Sequence, residues 1–589
     1  MKNNLSLTWD LETIFEGGSE SSELKQYIQA AQDWIETFKQ QVTPFAEKPE
    51  LDQLVELAET IRQVSMHNGE ISAFVSCLTA QDVNDKYARR LVGIRNELNA
   101  ATQKLITKFS FALSRIDDQE WQSWLEDQQL IEIRFVLSEL RDEAKDKLPE
   151  DQEQLITDLE IDGYHAWGEM YDTIVGSMTV AWENEQLSIG QLENKLNHAN
   201  REVRELAFQK LEQAWLDKAD LFTETLNHLA GFRLQTYAHR NWDDILKEPL
   251  NYNRMTNKTL STMWETIVKN KQVFYEYLNR KAEKFGLDQL AWYDLEAPIS
   301  QDVKEINYQE AADIIIKQFG QYSERMAEYA TLAFEESWIE AEDRPGKRPG
   351  GFCTSFPESK QSRIFMTYSN TASNMATLAH ELGHGYHQYV MDEIDLLNQN
   401  YAMNVAETAS TLAEMIVADA MVEEATTKEE RLVLIEDKIQ RSVAFFMNIH
   451  ARFLFETRFY QARKEGVVST EQLNELMEQA QREAYGDRLS TYHPIFWASK
   501  LHFHITDVPF YNFPYTFGYL FSLGIYAYAK SDKKNFANFY DALLKDTGRM
   551  KVEELAKIHL NVDLEQPEFW QRAIDLCIED VKQFIELTN

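Results

Sequence analysis

Helix-breaking residues are scarce along this chain, whose 589 residues include only 12 Pro and 21 Gly. Both counts are below those of an average soluble protein. Glu, Lys, Leu, Ala and Gln, which favour helices, are common between them. Hydrophobic residues make up 44% of the chain, which is enough for a large buried core. The sequence therefore predicts a predominantly α-helical protein, and its length predicts two or more subdomains.

Charge and cysteine content limit which partners the protein can bind and which cellular compartment it occupies. The formal net charge is -38, with 97 acidic and 59 basic residues, so phosphate backbones are repelled and no nucleic-acid partner is expected. Cys77, Cys353 and Cys577 are too few and too far apart for a disulfide framework, which indicates a reducing compartment. The first residues lack the apolar segment of a signal peptide, and no run of about 18 apolar residues predicts a membrane span. We therefore expect a cytoplasmic protein without membrane contact.

The first half of the chain has the hydrophobic spacing of amphipathic helices. This pattern begins near residue 21, is clear up to about 113, and continues to about 335. Short breaks are predicted at Leu148-Pro149 and at Asp162-Gly163. We expect helices throughout this region.

Irregular structure is predicted in the middle of the chain. Residues 342–352, EDRPGKRPGGF, contain two Pro and three Gly and predict a loop. Arg363 to Tyr368, RIFMTY, is typical of a strand. Three helices are then expected, over about 372–391, 404–424 and 429–464. Irregular backbone next to a helix is where binding and catalytic residues tend to lie.

The first of these three helices contains the motif HELGH, from His380 to His384. Positions i and i+4 share one helix face, so the imidazoles of His380 and His384 can point at a single metal ion. Zinc accepts neutral imidazole nitrogen, and it lowers the pKa of a bound water to roughly 7. Glu381, next to the first histidine, can then act on that water as a base. Gly383 costs helix stability, which suggests the close approach of another backbone or of a ligand.

A catalytic zinc site needs a third protein ligand, and Glu407 is the best candidate. It follows His384 by 23 residues, which is room for a connection and the first turn of an antiparallel helix. Glu407, Ser410 and Glu414 would share one face of that helix. Either Ser410 or Glu414 could then hydrogen-bond a metal ligand.

Aromatic residues and histidines are concentrated in Lys500 to Ser522, a segment with Pro509 and Pro514 that predicts a loop. Peptide hydrolysis places negative charge on the carbonyl oxygen, and a Tyr hydroxyl or His nitrogen can donate a hydrogen bond to it. Together with the HELGH helix, this segment becomes a candidate part of the same site.

These motifs together resemble the thimet-oligopeptidase family of metallopeptidases, on its oligoendopeptidase F branch. The similar stretches extend over nearly the whole chain. They are Trp9-Asp10-Leu11 with Ile14-Phe15, Arg201 to Phe208, Tyr293 to Leu295 with Ala297-Pro298, Lys347 to Phe352, Thr377 to Gln388, Val405 to Thr411 and Pro509 to Gly518. The resemblance implies one zinc ion on His380, His384 and Glu407, with Glu381 as general base and acid.

The resemblance also implies donors to the carbonyl oxygen in the C-terminal segment. Members of the family commonly have His-Phe-Tyr where this chain has His-Phe-His, so the family histidine falls on His502 and the family tyrosine on His504. The resemblance places the tyrosine that stabilises the transition state at Tyr515, with Tyr511 as the second candidate.

The fold implied by the resemblance is zincin-like and almost all helical, with a deep internal channel and a small β-sheet beside the HExxH helix. The strand at 363–368 would be the edge that faces the substrate. A channel excludes folded proteins, so the expected substrates are oligopeptides. We expect an N-terminal helical domain at 1–115, a connecting subdomain at 116–200 and a catalytic domain at 201–589.

Three functions are compatible with these residues. The first is a zinc endopeptidase that cleaves internal bonds of oligopeptides. The second is a zinc carboxypeptidase or dipeptidase on a related helical fold. The third is a peptide-binding protein without turnover, against which the intact HELGH motif and Glu407 argue.

Overall fold

Helices make up most of the computed structural model, which describes residues 4–300, 305–531 and 533–589. Many helices begin at a residue whose side chain accepts a hydrogen bond from a free backbone N–H of the first turn. Ser21 accepts from Leu24, and Asp85 accepts from Tyr87 and Ala88. The prediction of a predominantly α-helical chain is confirmed.

The N-terminal region is entirely helical. Its helices are α1 (Ser22–Glu47), α2 (Leu51–Gln81), α3 (Lys86–Ser114), α4 (Asp118–Trp124), α5 (Arg134–Lys145), α6 (Glu150–Glu160) and α7 (Ala166–Ser177). Buried apolar side chains of α1, α2 and α3 form clusters separate from the main core. At Asp162-Gly163, where a break was expected, the chain instead forms a π-helical turn, Ile161–His165, that joins α6 to α7.

The next region contains a hairpin that the helical pattern did not predict. Strands β1 (Thr179–Trp182) and β2 (Glu185–Ser188) pair in antiparallel register. Glu183 adopts a left-handed φ of 51° in the turn between them. The elements that follow are α8 (Ile189–Glu193), α9 (Arg201–Leu216), α10 (Ala219–His239), α11 (Lys247–Tyr252), α12 (Asn257–Lys284), β3 (Leu290–Ala291), α13 (Tyr308–Gly320) and α14 (Glu324–Glu335). The expectation of helix throughout this region was therefore wrong at the hairpin.

A three-stranded sheet comes next, with strand order β4-β6-β5. Its strands are β4 (Ile339–Glu340), β5 (Phe352–Phe356) and β6 (Gln361–Phe365). The predicted strand at 363–368 corresponds to β6, which pairs with β4 on one side and β5 on the other. It therefore cannot be the edge that faces a substrate, because its backbone donors and acceptors are already used. The edge strands are β4 and β5.

The C-terminal half contains the helices that hold the sequence motifs. They are α15 (Ala372–Met391), α16 (Met403–Glu424), α17 (Lys428–Val443), α18 (Ile449–Glu465), α19 (Thr470–Ala484), α20 (Phe496–Ser499), α21 (Phe513–Ser531), α22 (Lys533–Asp546), α23 (Val552–Leu560) and α24 (Pro567–Thr588). Strand β7 (Leu489–Thr491) pairs with β3. The predicted helix at 429–464 is present as α17 and α18, joined by a π-helical turn, Ala444–Asn448.

The predicted loop at 500–522 ends earlier than expected. Helix α21 begins at Phe513, so Pro514 lies in its first turn, where a missing N–H breaks no helical hydrogen bond. The helix continues well past Ser522. Prolines in this segment therefore mark the start of a helix as well as a loop.

Helix α16 lies at the centre of the C-terminal half, packed between α15 and α21. All three contribute to one extensive core that also includes α12, α17 and α24. The sheet packs on α15 through β5 and β6. Among the described residues, no helix is both long and apolar enough to cross a membrane.

Candidate metal centre and active site

Helix α15 presents the two histidines of HELGH on one face. The helix is capped by Thr371, whose side chain accepts a hydrogen bond from the Asn374 N–H. One turn apart, the rings of His380 and His384 have centroids 4.9 Å apart and are nearly perpendicular. Both ring nitrogens Nε2 face the neighbouring helix α16, where Glu407 lies.

Glycine allows α15 and α16 to approach closely enough for this contact. A Cβ atom at Gly383 would lie 2.5 Å from the Ala409 carbonyl oxygen and 2.6 Å from the Ser410 Cα. The prediction that Gly383 marks the close approach of another backbone is therefore confirmed. On the other side of α16, a Cβ at Gly518 would lie 3.1 Å from the Glu407 Cβ. Two glycines thus fix α16, and with it Glu407, between its neighbours.

Glu407 completes a cluster of three potential metal ligands. Its Oε2 is 3.3 Å from His380 Nε2 and 3.5 Å from His384 Nε2. One ligand atom from each residue lies within 4.8 Å of the others. Two neutral imidazole nitrogens and one carboxylate oxygen are the donor set of a catalytic zinc site with an open position. The residues present therefore fit a zinc ion, and the structure brings together the three side chains that the sequence indicated.

Hydrogen bonds with neighbouring residues of α16 orient these ligands. Ser410 donates to Glu407 Oε2 at 2.9 Å, and Glu414 Oε2 lies 3.3 Å from His380 Nδ1. Both residues considered from the sequence therefore take part. Arg441 of α17 forms an ion pair with Glu414. No pattern in the sequence predicted this contact, because it joins separate helices. A ring nitrogen held on one side by a carboxylate presents its other nitrogen for a metal.

The charge state of Glu407 suits a ligand. Burial raises the pKa of its carboxyl, but hydrogen bonds and charge from His380 and His384 outweigh burial and hold that pKa well below its usual range. The carboxylate therefore stays ionised at neutral pH.

Glu381 lies beside the cluster, between α15 and the sheet. It is 7% exposed, and its Oε1 is 3.3 Å from the position that a Cβ on Gly351 would occupy. Burial raises the pKa of the Glu381 carboxyl, and the nearby His380 and His384 offset only part of that rise. A carboxyl whose pKa is raised toward neutrality can both accept and return a proton.

His502, Tyr511 and Tyr515 form a second group. The His502 ring centroid is 5.4 Å from that of Tyr511 and 6.3 Å from that of Tyr515. Among the described residues, His502 Nδ1 is buried without a hydrogen-bond partner. Burial, with the charges of Arg452 and Lys500, lowers the pKa of His502 to about 4. The imidazole is therefore neutral, with one N–H to donate.

His504 lies elsewhere. It is 1% exposed, its ring stacks on Tyr171 at 4.0 Å, and Thr225 Oγ1 is 3.5 Å from its Nδ1. Of the two histidines that the sequence offered, the structure places His502 with the tyrosines and His504 in the core.

A cavity of about 550 Å³ is lined by His380 and Glu407 of the first group and by Tyr515 of the second. From there it runs between α16, α17, α21 and α24. A cavity of this size is within the usual range of ligand sites in proteins.

An HExxH pair on one helix, a glutamate from the next helix and a buried glutamate beside them are typical of a metallopeptidase. The comparisons with known proteins give the family. The model of "Peptidase family M3" matches residues 195–576, and that of "Oligopeptidase F" matches residues 113–179. The chain belongs to peptidase family M3, and it is a metalloendopeptidase whose substrates are peptides.

Individual relatives are distant but match over most of their own lengths. Oligopeptidase PepF of Bacillus subtilis is 23% identical over 98% of this chain and 87% of its own length. An oligoendopeptidase F homolog of Borreliella burgdorferi is 23% identical over 98% of both chains. A putative peptidase from Chlamydophila abortus has a similar structure, with a TM-score of 0.81 over 99% of this chain and 98% of its own at 19% identity. Oligoendopeptidase-F from Enterococcus faecium has a TM-score of 0.69 over 96% of this chain and 98% of its own at 17% identity.

Proposed function

We propose that this protein is a zinc-dependent endopeptidase that hydrolyses internal bonds of short oligopeptides. The observation that carries the proposal is the contact of His380, His384 and Glu407, with the buried Glu381 carboxyl beside them. One zinc ion on these three ligands would polarise the substrate carbonyl and acidify a water molecule. Relatives named as oligoendopeptidases support the substrate class.

Glu381 is proposed as the group that moves the proton. Its carboxylate would take a proton from the attacking water and pass it to the nitrogen of the leaving amine. Burial raises the pKa of the Glu381 carboxyl above its usual value, and a shift in this direction favours a group that both accepts and returns a proton.

His502 and Tyr515 are proposed as donors to the carbonyl oxygen as it gains negative charge, with Tyr511 as the alternative donor. Burial raises the pKa of the Tyr515 hydroxyl, which therefore keeps its proton. His502 Nδ1 has no hydrogen-bond partner among the described residues, which supports the proposal that this nitrogen gains a partner when substrate is bound. Donors of this kind typically contribute about 3 kcal/mol each to lowering the barrier.

The substrate is proposed to lie along β5 as an added strand. Within the described chain, β5 pairs only with β6, and α15 packs beside it. An extended peptide can bind such an edge through its main chain. We also propose the internal channel expected from the resemblance, which the 550 Å³ cavity at the ligands supports. A cytoplasmic location is supported by the absence of disulfides among Cys77, Cys353 and Cys577.

Metal analysis followed by peptide cleavage with and without chelator tests the proposal. We expect one zinc per chain, loss of cleavage on chelation and recovery when zinc is returned. Mass spectrometry of the fragments separates internal cleavage from removal of terminal residues, which would indicate a carboxypeptidase or dipeptidase. Peptide binding without hydrolysis in the zinc-loaded protein would contradict the proposal altogether.

A further inference from the structure

Arg452 and Lys500 form a pair of largely buried cations beside the candidate active site. Both lie on the Phe496 ring, with the Arg452 guanidinium carbon 5.2 Å and the Lys500 ammonium nitrogen 5.0 Å from its centroid. Both line a cavity of about 280 Å³, which Glu193 and Glu296 also line. The two positive charges therefore face one small, mostly enclosed space.

These cations lack the partner that buried charges normally have. Arg452 donates to Asn448 Oδ1 at 2.8 Å and to Asn512 Oδ1 at 3.5 Å, both of which are neutral amides. Across residues 4–300, 305–531 and 533–589, no carboxylate oxygen lies within 4.0 Å of either cation, and Lys500 Nζ has no hydrogen bond.

A comparison with Lys438 shows how carboxylate partners change the pKa of a lysine. Lys438, which is also buried, contacts Asp419 at 2.6 Å and Asp580 at 2.7 Å, and these carboxylates raise its pKa. By contrast, burial lowers the pKa of Lys500 and the charge of Arg452 lowers it further, while the charges of Glu193 and Glu296 offset only part of this decrease. Burial lowers the pKa of Arg452 to about 10. An anion bound in this cavity would counteract the decrease in the pKa of both Lys500 and Arg452.

The cation pair adjoins the residues assigned to the substrate carbonyl. Asn512, which Arg452 contacts, directly follows Tyr511 in the chain. Ala444, in the π-helical turn, lines both this cavity and the 550 Å³ cavity at the metal ligands. The same turn ends at Asn448, which holds the Arg452 Nε. Such π-helical turns occur frequently at functional sites.

We propose that Arg452 and Lys500 form a subsite that binds a carboxylate of the peptide substrate, either its C-terminal carboxylate or an acidic side chain. The proposal deepens the proposed function and rests on it. A guanidinium binds a carboxylate through two parallel hydrogen bonds, and Lys500 adds a second charge. Trp292, Tyr485 and Phe496 would contact the apolar atoms next to that carboxylate.

Paired peptides test this directly. One internally cleaved peptide is made as the free acid and as the C-terminal amide, and the amide is also made with a single Asp at successive positions. We expect the wild-type protein to cleave the free acid with a kcat/KM roughly 10- to 100-fold above that of the plain amide, the range of charged hydrogen bonds. An amide whose Asp restores the rate would assign the subsite to a side chain.

The variants Arg452→Gln and Lys500→Gln should bring the ratio of acid to amide cleavage close to one, while cleavage of the plain amide persists. This ratio is measured within each variant. A partial loss of folded protein lowers both rates by the same factor and therefore leaves the ratio unchanged. The matched control is Lys464→Gln, which removes an exposed charge from the same helix α18 and should keep the ratio. Equal rates for the free acid, the plain amide and every Asp-containing amide in the wild type, or a rate advantage of the carboxylate-bearing peptide that survives both substitutions, would overturn the subsite.

A binding measurement separates this inference from the proposed function. Calorimetry on Glu381→Gln should show tighter binding of the free acid than of the amide, and the difference should vanish when Arg452→Gln is added. If the zinc-loaded wild type cleaves no peptide, the proposed function fails, and calorimetry alone decides the subsite. Equal affinities for the free acid, the plain amide and the Asp-containing amides would exclude the subsite even in an active enzyme.

Discussion

At the residue scale, Glu381 offers the sharpest test of the proposed chemistry. Glutamine has nearly the same shape but accepts no proton, and Glu381 is not one of the three clustered ligands. Glu381→Gln should therefore bind zinc as the wild type does and lose about 10²- to 10⁴-fold in kcat, the usual contribution of a general base. Zinc content by elemental analysis and cleavage of a fluorogenic peptide measure the two properties together. A variant with wild-type turnover would exclude Glu381 as the proton carrier.

A substitution of Glu414 tests whether its contact with His380 contributes to zinc binding. Its Oε2 lies 3.3 Å from His380 Nδ1, and it also binds Arg441. Glu414→Gln keeps the shape but removes the charge, so zinc affinity should fall about 10- to 100-fold. Competition with a zinc-selective chelator measures that affinity. Glu423→Gln is the control, because Glu423 lines the same cavity from the same helix but is exposed; an equal loss in both variants would indicate a general effect of charge.

Some site residues could be found from the sequence and others could not, for a physical reason. His380, His384 and Glu407 follow from helix periodicity and chain spacing, because a helix fixes which side chains share a face. The choice of His502 over His504 depends on which one packs against Tyr171, a contact between distant segments. The contacts of Arg441 with Glu414 and of Arg452 with Phe496 join separate helices, so no local pattern in the sequence predicts them.

At the scale of elements, the close approach of α15 to α16 predicts a large effect of one methyl group. Gly383→Ala would place a Cβ 2.5 Å from the Ala409 carbonyl oxygen, so one helix must move. Overpacking of this kind typically costs about 1–3 kcal/mol of unfolding free energy. Because the movement also shifts Glu407, zinc affinity should fall. Urea unfolding monitored by circular dichroism measures the stability.

Gly93→Ala provides the opposite result in the same experiment. Gly93 lies inside helix α3, and a Cβ there would meet no atom within 4 Å. Alanine should therefore stabilise the protein by about 0.5–1 kcal/mol, since only the helix propensity changes. Equal effects of the two substitutions would show that the α15–α16 contact imposes no steric limit at Gly383.

The elements differ in how far local sequence determines them. The bounds of α15 match the prediction, because a capping Thr371 and a long apolar face act locally. The place of β6 inside the sheet was not predictable, since strand order depends on pairing between distant segments. The start of α21 was missed because a proline can either break a helix or open one. The hairpin β1–β2 is too short to interrupt a helical pattern clearly.

At the scale of the whole molecule, a hydrophobic core includes residues from both sides of the domain boundaries that the sequence predicted. The cluster around α1, α2 and α3 also contains Phe356 and Phe365, which belong to the sheet beside the HExxH helix. The N-terminal helices are therefore packed against the element that positions β5. The divisions at 115 and 200 stay predictions, because a boundary in the chain does not determine which surfaces share a core.

Lys271 links three helices of the main core and gives a prediction for the stability of the whole molecule against pH. Its ammonium on α12 lies 2.9 Å from His450 Nδ1 on α18 and donates to the Ala484 carbonyl of α19 at 2.8 Å. Burial lowers the pKa of Lys271 from 10.5 to about 7. Between these two values the unfolded chain holds a proton that the folded protein has released.

Stability therefore rises with pH in this window, because the unfolded state binds more protons there. One such group contributes up to about 1.4 kcal/mol per pH unit between pH 7 and 10.5. Lys271→Met removes the titrating group, so its unfolding free energy should rise less steeply with pH than that of the wild type. Urea unfolding of both proteins at intervals across this range measures the difference, in which all other titrating groups cancel. Parallel curves would mean that Lys271 keeps its proton in the folded protein.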